Sequence, residues 1–469
     1  MIDLTRYKAS LNNKPVAVLG LGLSGMASVR ALRAAGIVVS AWDDHEPHRD
    51  AAAVLGAQIE NLSVADLSGF AHLVLAPGIP LHFPEPHPAV ARARECGLEV
   101  IGDVEILHRC GHGIKTIGIT GTNGKSTTTA LVGHILNRCG VEAVICGNIG
   151  RAVLDIDLPR KESGVIVLEL SSYQLDLCTT FAPDIAVHMN LTPDHIDRHG
   201  DLVGYIEAKM RIFNGAGEAV IGVDDAPSLQ MMERVEAANT HRVHPISSGK
   251  ILTHGIYVQN GKLFDAMHGP AAEIGDVRAI KTLNGVHNHQ NIAAAYAVAR
   301  LMGLAPQVIV KAIESYPGLP HRMFIVRHIN GVGYIDDSKA TNADAAGKAL
   351  ACHKNIYWIV GGRAKEGGLD GLEPLMDRIA HAFVIGEAAD DFCLWFKNHG
   401  VAHTRSETLD RAVADAQLQA QANRGLPGGD GVVLLSPACA SFDQFKSFEH
   451  RGRVFTDLVN ALEEGVAAE

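Results

Sequence analysis

The run Gly118-Ile119-Thr120-Gly121-Thr122-Asn123-Gly124-Lys125-Ser126-Thr127-Thr128 has the residue types and spacing that most directly imply chemistry. Small residues let backbone N–H groups close around phosphate oxygens, and a helix start behind them favours negative charge. Lys125 is placed to reach the terminal phosphates of a nucleotide, and the Ser126 hydroxyl to ligand Mg²⁺. The strict phosphate-loop pattern has glycine where Ile119 stands, and the bland alternative is a turn that only links a strand to a helix. Further along, the apolar run Val165-Ile-Val-Leu168 ends in Glu169, where a buried parallel strand beside such a loop would present a Mg²⁺ carboxylate. The competing role for Glu169 is a helix cap.

A second glycine turn lies near the start. Val16-Ala-Val-Leu19 reads as a strand, Gly20-Leu-Gly22-Leu-Ser24-Gly25 as a turn, and Met26, Val29 and Leu32 as one face of a helix. The next strand, Ile37 to Trp42, ends at Asp43. This is a dinucleotide-type fingerprint with an acid at about the expected distance. It predicts a phosphate or diphosphate at the turn and Asp43 near a ribose or base. NAD and a UDP-linked substrate satisfy the same physics, so the stretch does not choose between them. Leu73-Val-Leu75 runs into Ala76-Pro-Gly78, another turn at the end of a strand.

These turns need elements to hold them. Before the central loop lies the β-type run Ile114–Ile117. After it, Thr128, Leu131, Val132, Ile135, Leu136 and Cys139 form a helical stripe closed by Gly140. Cys146-Gly-Asn148-Ile-Gly150 is a turn with a polar side chain between glycines. The stretch Asp194-His195-Ile-Asp-Arg-His199 carries histidines whose spacing fits no zinc motif, and a lone histidine is more often structural. Lys209 reads, by composition, as a solvated helix lysine. An alanine-rich helix through Arg300 is expected to be capped by the polar run from Asn284. Asn291, just inside it, is a candidate to read an adenine edge. Residues 214–280 carry mixed strand and turn signals. Beyond the hinge-like Gly318-Leu-Pro-His-Arg322, strands at Val332–Ile335, Ile356–Val360, Phe383–Ile385 and Val432–Leu435 are predicted. Several are followed by polar turns that the β/α alternation would gather along one rim.

The chain of 469 residues is long enough for several domains, and 47% hydrophobic content supports real cores. A net charge of -11 with no basic run argues against a general nucleic-acid binder. Eight scattered cysteines without a Cys-x-x-Cys pair fit free thiols in a reducing compartment. No apolar run suggests a signal core or a membrane span. A cytoplasmic protein is expected.

Residues 121–128, Leu168-Glu169-Leu-Ser-Ser172, Asp194–Arg198, Gly318–Arg322, Asp336-Asp-Ser-Lys-Ala-Thr-Asn342 and Leu435-Ser-Pro-Ala-Cys-Ala-Ser-Phe-Asp-Gln-Phe445 together resemble the Mur ligases. The match runs in order, at compatible spacing, over nearly the whole chain. The 336–342 and 435–445 runs are most similar to the D-glutamate-adding branch of that family. The resemblance implies an α/β protein of three domains. These are a Rossmann-like UDP-substrate domain (1–112), a P-loop-type ATP-binding domain (113–318) and a Rossmann-like amino-acid-binding domain (319–469).

The implied activity is ATP-dependent amide-bond formation between UDP-N-acetylmuramoyl-L-alanine and D-glutamate through an acyl phosphate, in cytoplasmic peptidoglycan precursor synthesis. By the same resemblance, Gly121, Thr122, Asn123, Gly124, Lys125, Ser126 and Thr127 hold ATP phosphates, while Asn291, Arg322 and Asp337 grip adenine, phosphate and ribose. Ser126, Glu169, His195 and Lys209 hold two Mg²⁺ ions, the second through carbamylated Lys209. Lys125, Asn148, His195 and Lys209 surround the reacting centre. Ser24, Gly25, Asp43 and Gly78 bind the UDP substrate, and Lys339, Thr341, Lys365, Ser441, Phe442 and Phe448 bind D-glutamate. After Asp43 one member of the family has Thr-Arg where this chain has Asp44-His45, and an acidic Asp44 cannot replace a cationic phosphate contact. The resemblance further implies a monomer, without nucleic-acid or membrane partners, whose domains close around the substrates.

Three other readings compete: a related amide ligase with another amino acid, an NAD-dependent oxidoreductase built on residues 16–43, and a nucleotide-gated binding protein without ligation.

Overall fold

A computed structural model describes residues 2–160, 163–283, 285–365, 367–424 and 431–463. The described residues build three sheets, each matching one stretch of β/α alternation. The first contains β1 (Val16–Leu19), β2 (Val39–Trp42), β3 (Gln58–Ile59), β4 (His72–Leu75) and β5 (Glu99–Ile101), all parallel, in the order β3-β2-β1-β4-β5. Chain order reverses direction at β1, so the turns after β1, β2 and β4 open at one crevice, where ligands bind in open sheets of this kind.

The second sheet holds β6 (Lys115–Thr120), β7 (Ala143–Gly147), β8 (Val165–Glu169), β9 (Ile185–His188), β10 (Gly217–Gly222), β11 (His241–Ser247), β12 (Ile256–Gln259), β13 (Lys262–Asp265) and β14 (Ala272–Asp276). Their order is β14-β13-β12-β11-β10-β9-β6-β8-β7, parallel from β7 to β12 and antiparallel from β12 to β14. The uninterpreted stretch 214–280 therefore extends this sheet. β8 and β9 are buried along their whole length, as covered parallel strands must be. β6 sits between them, so Thr120, Glu169 and His188 end side by side.

The third sheet, β15 (Phe324–Ile329), β16 (Val332–Asp336), β17 (Ile356–Gly361), β18 (Ile379–Ile385), β19 (His403–Glu407) and β20 (Val432–Leu435), has the order β15-β16-β20-β17-β18-β19 with only β15 antiparallel. Strand periodicity divides its core into two faces. Trp358, Val360 and Leu434 pack with Phe396, while Ile359, Leu435 and Val433 pack with Phe455. Each such side chain, fully buried, contributes roughly 1.5–3 kcal/mol.

By contacts, the chain forms two compact units. One comprises residues 1–280 and 286–316 and carries the first two sheets, and the other comprises 281–285 and 317–469 and carries the third. No helix among the described residues is long and apolar enough to cross a membrane.

Candidate active site

The central loop leaves β6 at Thr120 and enters the helix Lys125–Arg138 through Gly124, whose φ of 82° lies in the left-handed region. A Cβ on Gly124 would also lie 2.3 Å from Asn291 Oδ1, so glycine is required twice over. The predicted stripe forms: Thr128, Leu131, Val132, Ile135 and Leu136 are buried.

A second loop, after β9, clasps the first. Asn190 accepts from the Thr122 amide through its carbonyl (2.8 Å) and from the Asn123 amide through Oδ1 (2.8 Å), and the Thr122 hydroxyl donates to the Thr192 carbonyl at 3.1 Å. The loop's backbone is thus fixed by its neighbour.

Lysines and a carboxylate ring this loop. Lys125 folds back onto it, donating to the carbonyls of Gly121 (2.9 Å) and Thr122 (2.8 Å). Lys209 is not a solvated helix lysine. It is 1% exposed, donates to the Gly121 carbonyl (2.9 Å) and the Thr120 hydroxyl (3.3 Å), and lies 4.7 Å from the Tyr205 ring centroid. Burial first, and then the nearby Lys125 charge, push its amine well below the usual lysine range.

Glu169 closes β8 in a buried position. Its Oε1 accepts from the Asn148 side-chain amide (2.9 Å), while its Oε2 is buried without a hydrogen-bond partner. A buried carboxylate oxygen left unsatisfied costs about 1–3 kcal/mol or more unless a cation completes it. The residues present therefore fit Mg²⁺, a hard ion that takes carboxylate and hydroxyl oxygens. Ser126, 4% exposed at the first turn of the loop's helix, supplies the hydroxyl. Glu169 does not cap a helix: Ser171 and Gln174 form the capping box of the next one.

His195 takes a left-handed backbone (φ 54°) just before the helix Ile196–His199. Its Nδ1 is 2.7 Å from the Tyr173 hydroxyl and its Nε2 is 3.5 Å from Asp194. Burial lowers its pKa, partly opposed by Asp194, which favours the neutral imidazole that a metal needs. Thr127 is buried beneath the loop.

Asn291 lies deeper in its helix than the sequence pattern suggests. The helix begins at His287, so Asn291 sits in its second turn and not at the cap; Asn284 lies outside the described residues. Its Oδ1 accepts from the Thr128 hydroxyl (3.1 Å) and its Nδ2 donates to Asn288 (2.8 Å), 3% exposed. This amide lies directly behind Gly124.

The first glycine turn has the required close packing. A Cβ on Gly25 would sit 1.8 Å from the Gly20 carbonyl oxygen. Ser24 lies in the first turn of the helix Leu23–Ala34, and Asp43 Oδ2 accepts the Leu21 amide at 2.6 Å. The crevice is linked to the central loop within the same compact unit by Arg198, which the sequence reading passed over. Its guanidinium donates to the carbonyls of Gly78 (3.0 Å) and Ile79 (2.9 Å) and stacks 4.5 Å over Tyr173, the partner of His195. A chain of contacts thus runs from the turn after β4 to the imidazole.

In the other unit, Lys339 and Phe448 meet, with Nζ 5.7 Å from the ring centroid. The turn after β17 pairs with the 439–445 turn through an Arg363–Ala440 bridge, which sets Lys365 and Ser441 on adjoining loops. Lys365 and Phe442 are exposed, Thr341 and Phe448 half-buried and Ser441 buried. Asp337 is buried, accepting from the Ser436 hydroxyl (2.7 Å) and the Met323 amide (3.1 Å), and burial pushes its carboxyl up to about 7. Arg322 Nε is buried without a hydrogen-bond partner. Arg451, 1% exposed and also missed, donates to the Ser338 hydroxyl and carbonyl and to the Cys439 carbonyl, tying the Lys339 turn to the Ser441 turn. Burial lowers its pKa to about 10.

Comparison with known proteins decides the family. The family model of the Mur ligase middle domain matches residues 119–299, and that of the Mur ligase MurD-like N-terminal domain matches residues 14–102. The chain belongs to the Mur ligase family. It is 47% identical to the UDP-N-acetylmuramoylalanine--D-glutamate ligase of Caulobacter vibrioides, over 97% of each chain. It is 46% identical to the enzyme of the same name from Paramagnetospirillum magneticum, over 98% of this chain and 99% of the relative.

Solved structures share the fold. UDP-N-acetylmuramate-alanine ligase MurC from Thermotoga maritima superposes with a TM-score of 0.57 at 17% identity, covering 95% of this chain and 99% of that one. MurF from Acinetobacter baumannii gives 0.55 at 20% identity, covering 91% of both chains. The family accounts for both glycine turns in one chain. The turn at Gly20–Gly25 lies within the matched N-terminal domain of a ligase family.

Proposed function

We propose that this Mur ligase joins the L-alanine carboxylate of UDP-N-acetylmuramoyl-L-alanine to the amine of D-glutamate at the expense of ATP, in cytoplasmic peptidoglycan precursor synthesis, acting as a monomer. The observation that carries the reading is the buried Glu169 carboxylate, half satisfied by Asn148 and half unsatisfied, beside a phosphate loop ringed by Lys125 and Lys209. The relatives named D-glutamate ligases support the choice of substrates.

A carboxylate is a poor electrophile because it is anionic and its oxygen leaves badly. Moving the γ-phosphoryl of ATP onto it gives an acyl phosphate, and attack by the D-glutamate amine then yields the amide, ADP and phosphate. Triphosphate and carboxylate repel one another, so the site must supply positive charge. Lys125 provides part of it on exchanging its loop carbonyls for phosphate oxygens. Ser126, Glu169 and His195 would hold Mg²⁺, which when bound neutralises phosphate charge. Asn148 orients Glu169 and faces the reacting carboxylate. Lys209, whose proton burial loosens, is suited to add CO₂ once deprotonated; the carbamate that forms, with loss of one further proton, puts a second metal-binding carboxylate where a cation stood.

Ser24, Gly25, Asp43 and Gly78 hold the UDP portion. Lys339, Thr341, Lys365, Ser441, Phe442 and Phe448 receive D-glutamate, whose two carboxylates the lysines match. Arg322 and Asp337 serve the phosphate and ribose of ATP, the buried Arg322 Nε being a donor in want of an acceptor.

The test is phosphate release with ATP, Mg²⁺ and UDP-N-acetylmuramoyl-L-alanine, comparing D-glutamate, L-glutamate, L-lysine and meso-diaminopimelate. Release confined to D-glutamate is expected. Release only with another amino acid overturns the substrate, and silence with all of them overturns the ligase assignment.

A further inference from the structure

The stretch Asp43-Asp44-His45-Glu46-Pro47-His48-Arg49 joins β2 to the helix Glu46–Val54 and has a feature that the ligase reaction does not use. His45 precedes the helix and His48 lies in its first turn. Residues three apart project to the same side there, and the ring centroids are 5.4 Å apart. Both rings turn toward one carboxylate. His45 Nδ1 is 3.2 Å from Asp43 Oδ1, and His48 Nδ1 is 3.4 Å from Asp43 Oδ2. One ligand atom from each of the three residues falls within 4.8 Å of the others, a combination that is unique among the described His, Cys, Asp and Glu side chains.

The carboxylate is fixed before any ion arrives. Its oxygens accept the Leu21 amide (2.6 Å) and the His45 amide (2.9 Å), and Arg49 donates to the carbonyls of Asp43 and Asp44 while stacking 4.8 Å over Trp42. Those amide bonds, with the two imidazoles, keep Asp43 ionised down to a pH of about 2 against the opposing effect of burial. The histidines are the exposed half, His45 at 78% and His48 at 48%, and to hold one ion both Nδ1 atoms turn from the carboxylate to a shared centre. Asp44 and Glu46 add negative charge beside it.

Two imidazole nitrogens and one carboxylate oxygen form the donor set of Zn²⁺, Co²⁺ or Ni²⁺, not of Mg²⁺, which prefers oxygen ligands. Both imidazoles would bind as neutral rings with the proton on Nε2, facing water. Exposure leaves the fourth position open to water or to an incoming oxygen.

We propose that Asp43, His45 and His48 form a binding site for a divalent transition-metal ion of the zinc class, and that an ion bound there competes with the nucleotide-sugar substrate at the first glycine turn. The competition rests on the function proposed above, because Asp43 is then asked to serve both the ion and the UDP portion. The carboxylate that carries the Leu21 amide of the turn cannot be drawn onto a metal and still offer the same oxygens to a ribose or base.

The experiment is a calorimetric titration of the full-length, Mg²⁺-supplemented protein with ZnCl₂ in the absence of nucleotide. Wild type is compared with His45→Ala, His48→Ala and, as a control, His328→Ala, an exposed histidine of the other compact unit. Zinc taken up by cysteines or by the Mg²⁺ site is common to all four proteins and cancels in the comparison. One equivalent is expected to weaken by at least about tenfold in His45→Ala and in His48→Ala and to persist in His328→Ala. Identical titrations of wild type and His48→Ala overturn the site.

The second arm measures phosphate release at fixed low ZnCl₂. Zinc is expected to raise the KM for the UDP substrate in wild type without changing kcat, and to leave His48→Ala unaffected. Zinc binding lost in the variant, with equal inhibition of both proteins, overturns the competition and keeps the site. Absence of turnover in wild type without zinc is a failure of the ligase reading alone, since the calorimetric arm uses no substrate.

Discussion

Lys125 and Lys209 converge on one acceptor, both Nζ atoms donating to the Gly121 carbonyl at 2.9 Å. Like charges in such proximity are tolerated because one of them is buried and gives up its proton readily. Removing Lys125 should therefore have separable effects. Lys125→Ala is expected to lower phosphate release by about 10²-fold or more, the usual cost of deleting a group that stabilises transferring charge. It should also raise the pKa of Lys209, because the Lys125 charge lowers it. Nitrogen-detected NMR of the lysine Nζ groups reads the second effect. Near-normal turnover would remove the loop from the mechanism.

Lys209 itself is predicted to be indispensable as an amine. Lys209→Ala should be inactive and should recover part of its activity with a short carboxylate such as acetate, which supplies the oxygens a carbamate would. Lys209→Arg, charged at every accessible pH and unable to add CO₂, should stay inactive with or without acetate. Full activity of either variant without rescue refutes carbamylation.

Glu169 links stability to function in opposite directions. A buried carboxylate oxygen without a partner is a liability in the metal-free protein. Glu169→Gln keeps the shape and removes the charge, so the metal-free variant should melt at the same temperature as wild type or above it. Its Mg²⁺ requirement for phosphate release should rise by about tenfold or more. Thermal melts with and without Mg²⁺ check both at once. A variant that melts lower without metal and keeps its Mg²⁺ response contradicts the assignment.

The legible parts of this molecule were those encoded locally. Glycine turns, apolar strands and the stripe on the helix after Lys125 follow from short-range spacing, and the predicted strand Val432–Leu435 agrees with the structure residue for residue. Lys209 was opaque because its helix, Leu202–Met210, is apolar nearly all round, with Val203 exposed, so local pattern marks no inner face, and only packing against Thr120 and Tyr205 reveals that this lysine is inside. Asn291 was expected just inside its helix and lies in the second turn, because the helix starts four residues before it. Arg198, Tyr173 and Arg451 act through partners far away in sequence, which no local pattern encodes. A signal for Arg198 was present in its position three residues after His195, on the short helix that follows it.

Arg198 is predicted to act on substrate affinity more than on turnover. It holds the turn after β4 by three carbonyls and presses on Tyr173, which in turn holds His195. Arg198→Lys keeps the charge but loses the planar fork. Its KM for the UDP substrate should rise about tenfold, with a smaller fall in kcat, and the KM for D-glutamate should not move. Steady-state kinetics with each substrate varied in turn separates these. Equal changes in all KM values point to general loosening of the fold and reject the specific link.

Glu105 is predicted to be the acid-sensitive joint of the first unit. Its side chain is fully buried in the helix Asp103–Arg109. It accepts from Arg109 Nε (2.8 Å), from the amides of Thr179, Thr180 and Phe181, and from the Thr180 hydroxyl. Burial alone would raise its pKa, but the hydrogen bonds from Thr180 and Arg109 prevail and bring it down to about 2. A carboxylate depressed in the folded state stabilises at pH values above its unfolded pKa of about 4.3, and that contribution is lost as pH falls toward 2. Wild type should therefore lose stability steadily from about pH 5 downward. Glu105→Gln retains an acceptor oxygen but leaves Arg109 and several amides short of a charged partner, and should cost about 3–5 kcal/mol at pH 7. The deficit should shrink from about pH 5 downward, as the unfolded wild-type carboxylate begins to bind its proton. Urea unfolding of both proteins at pH 7, 5 and 3.5 measures the convergence, and a deficit that stays constant across that range assigns the loss to packing and not to charge.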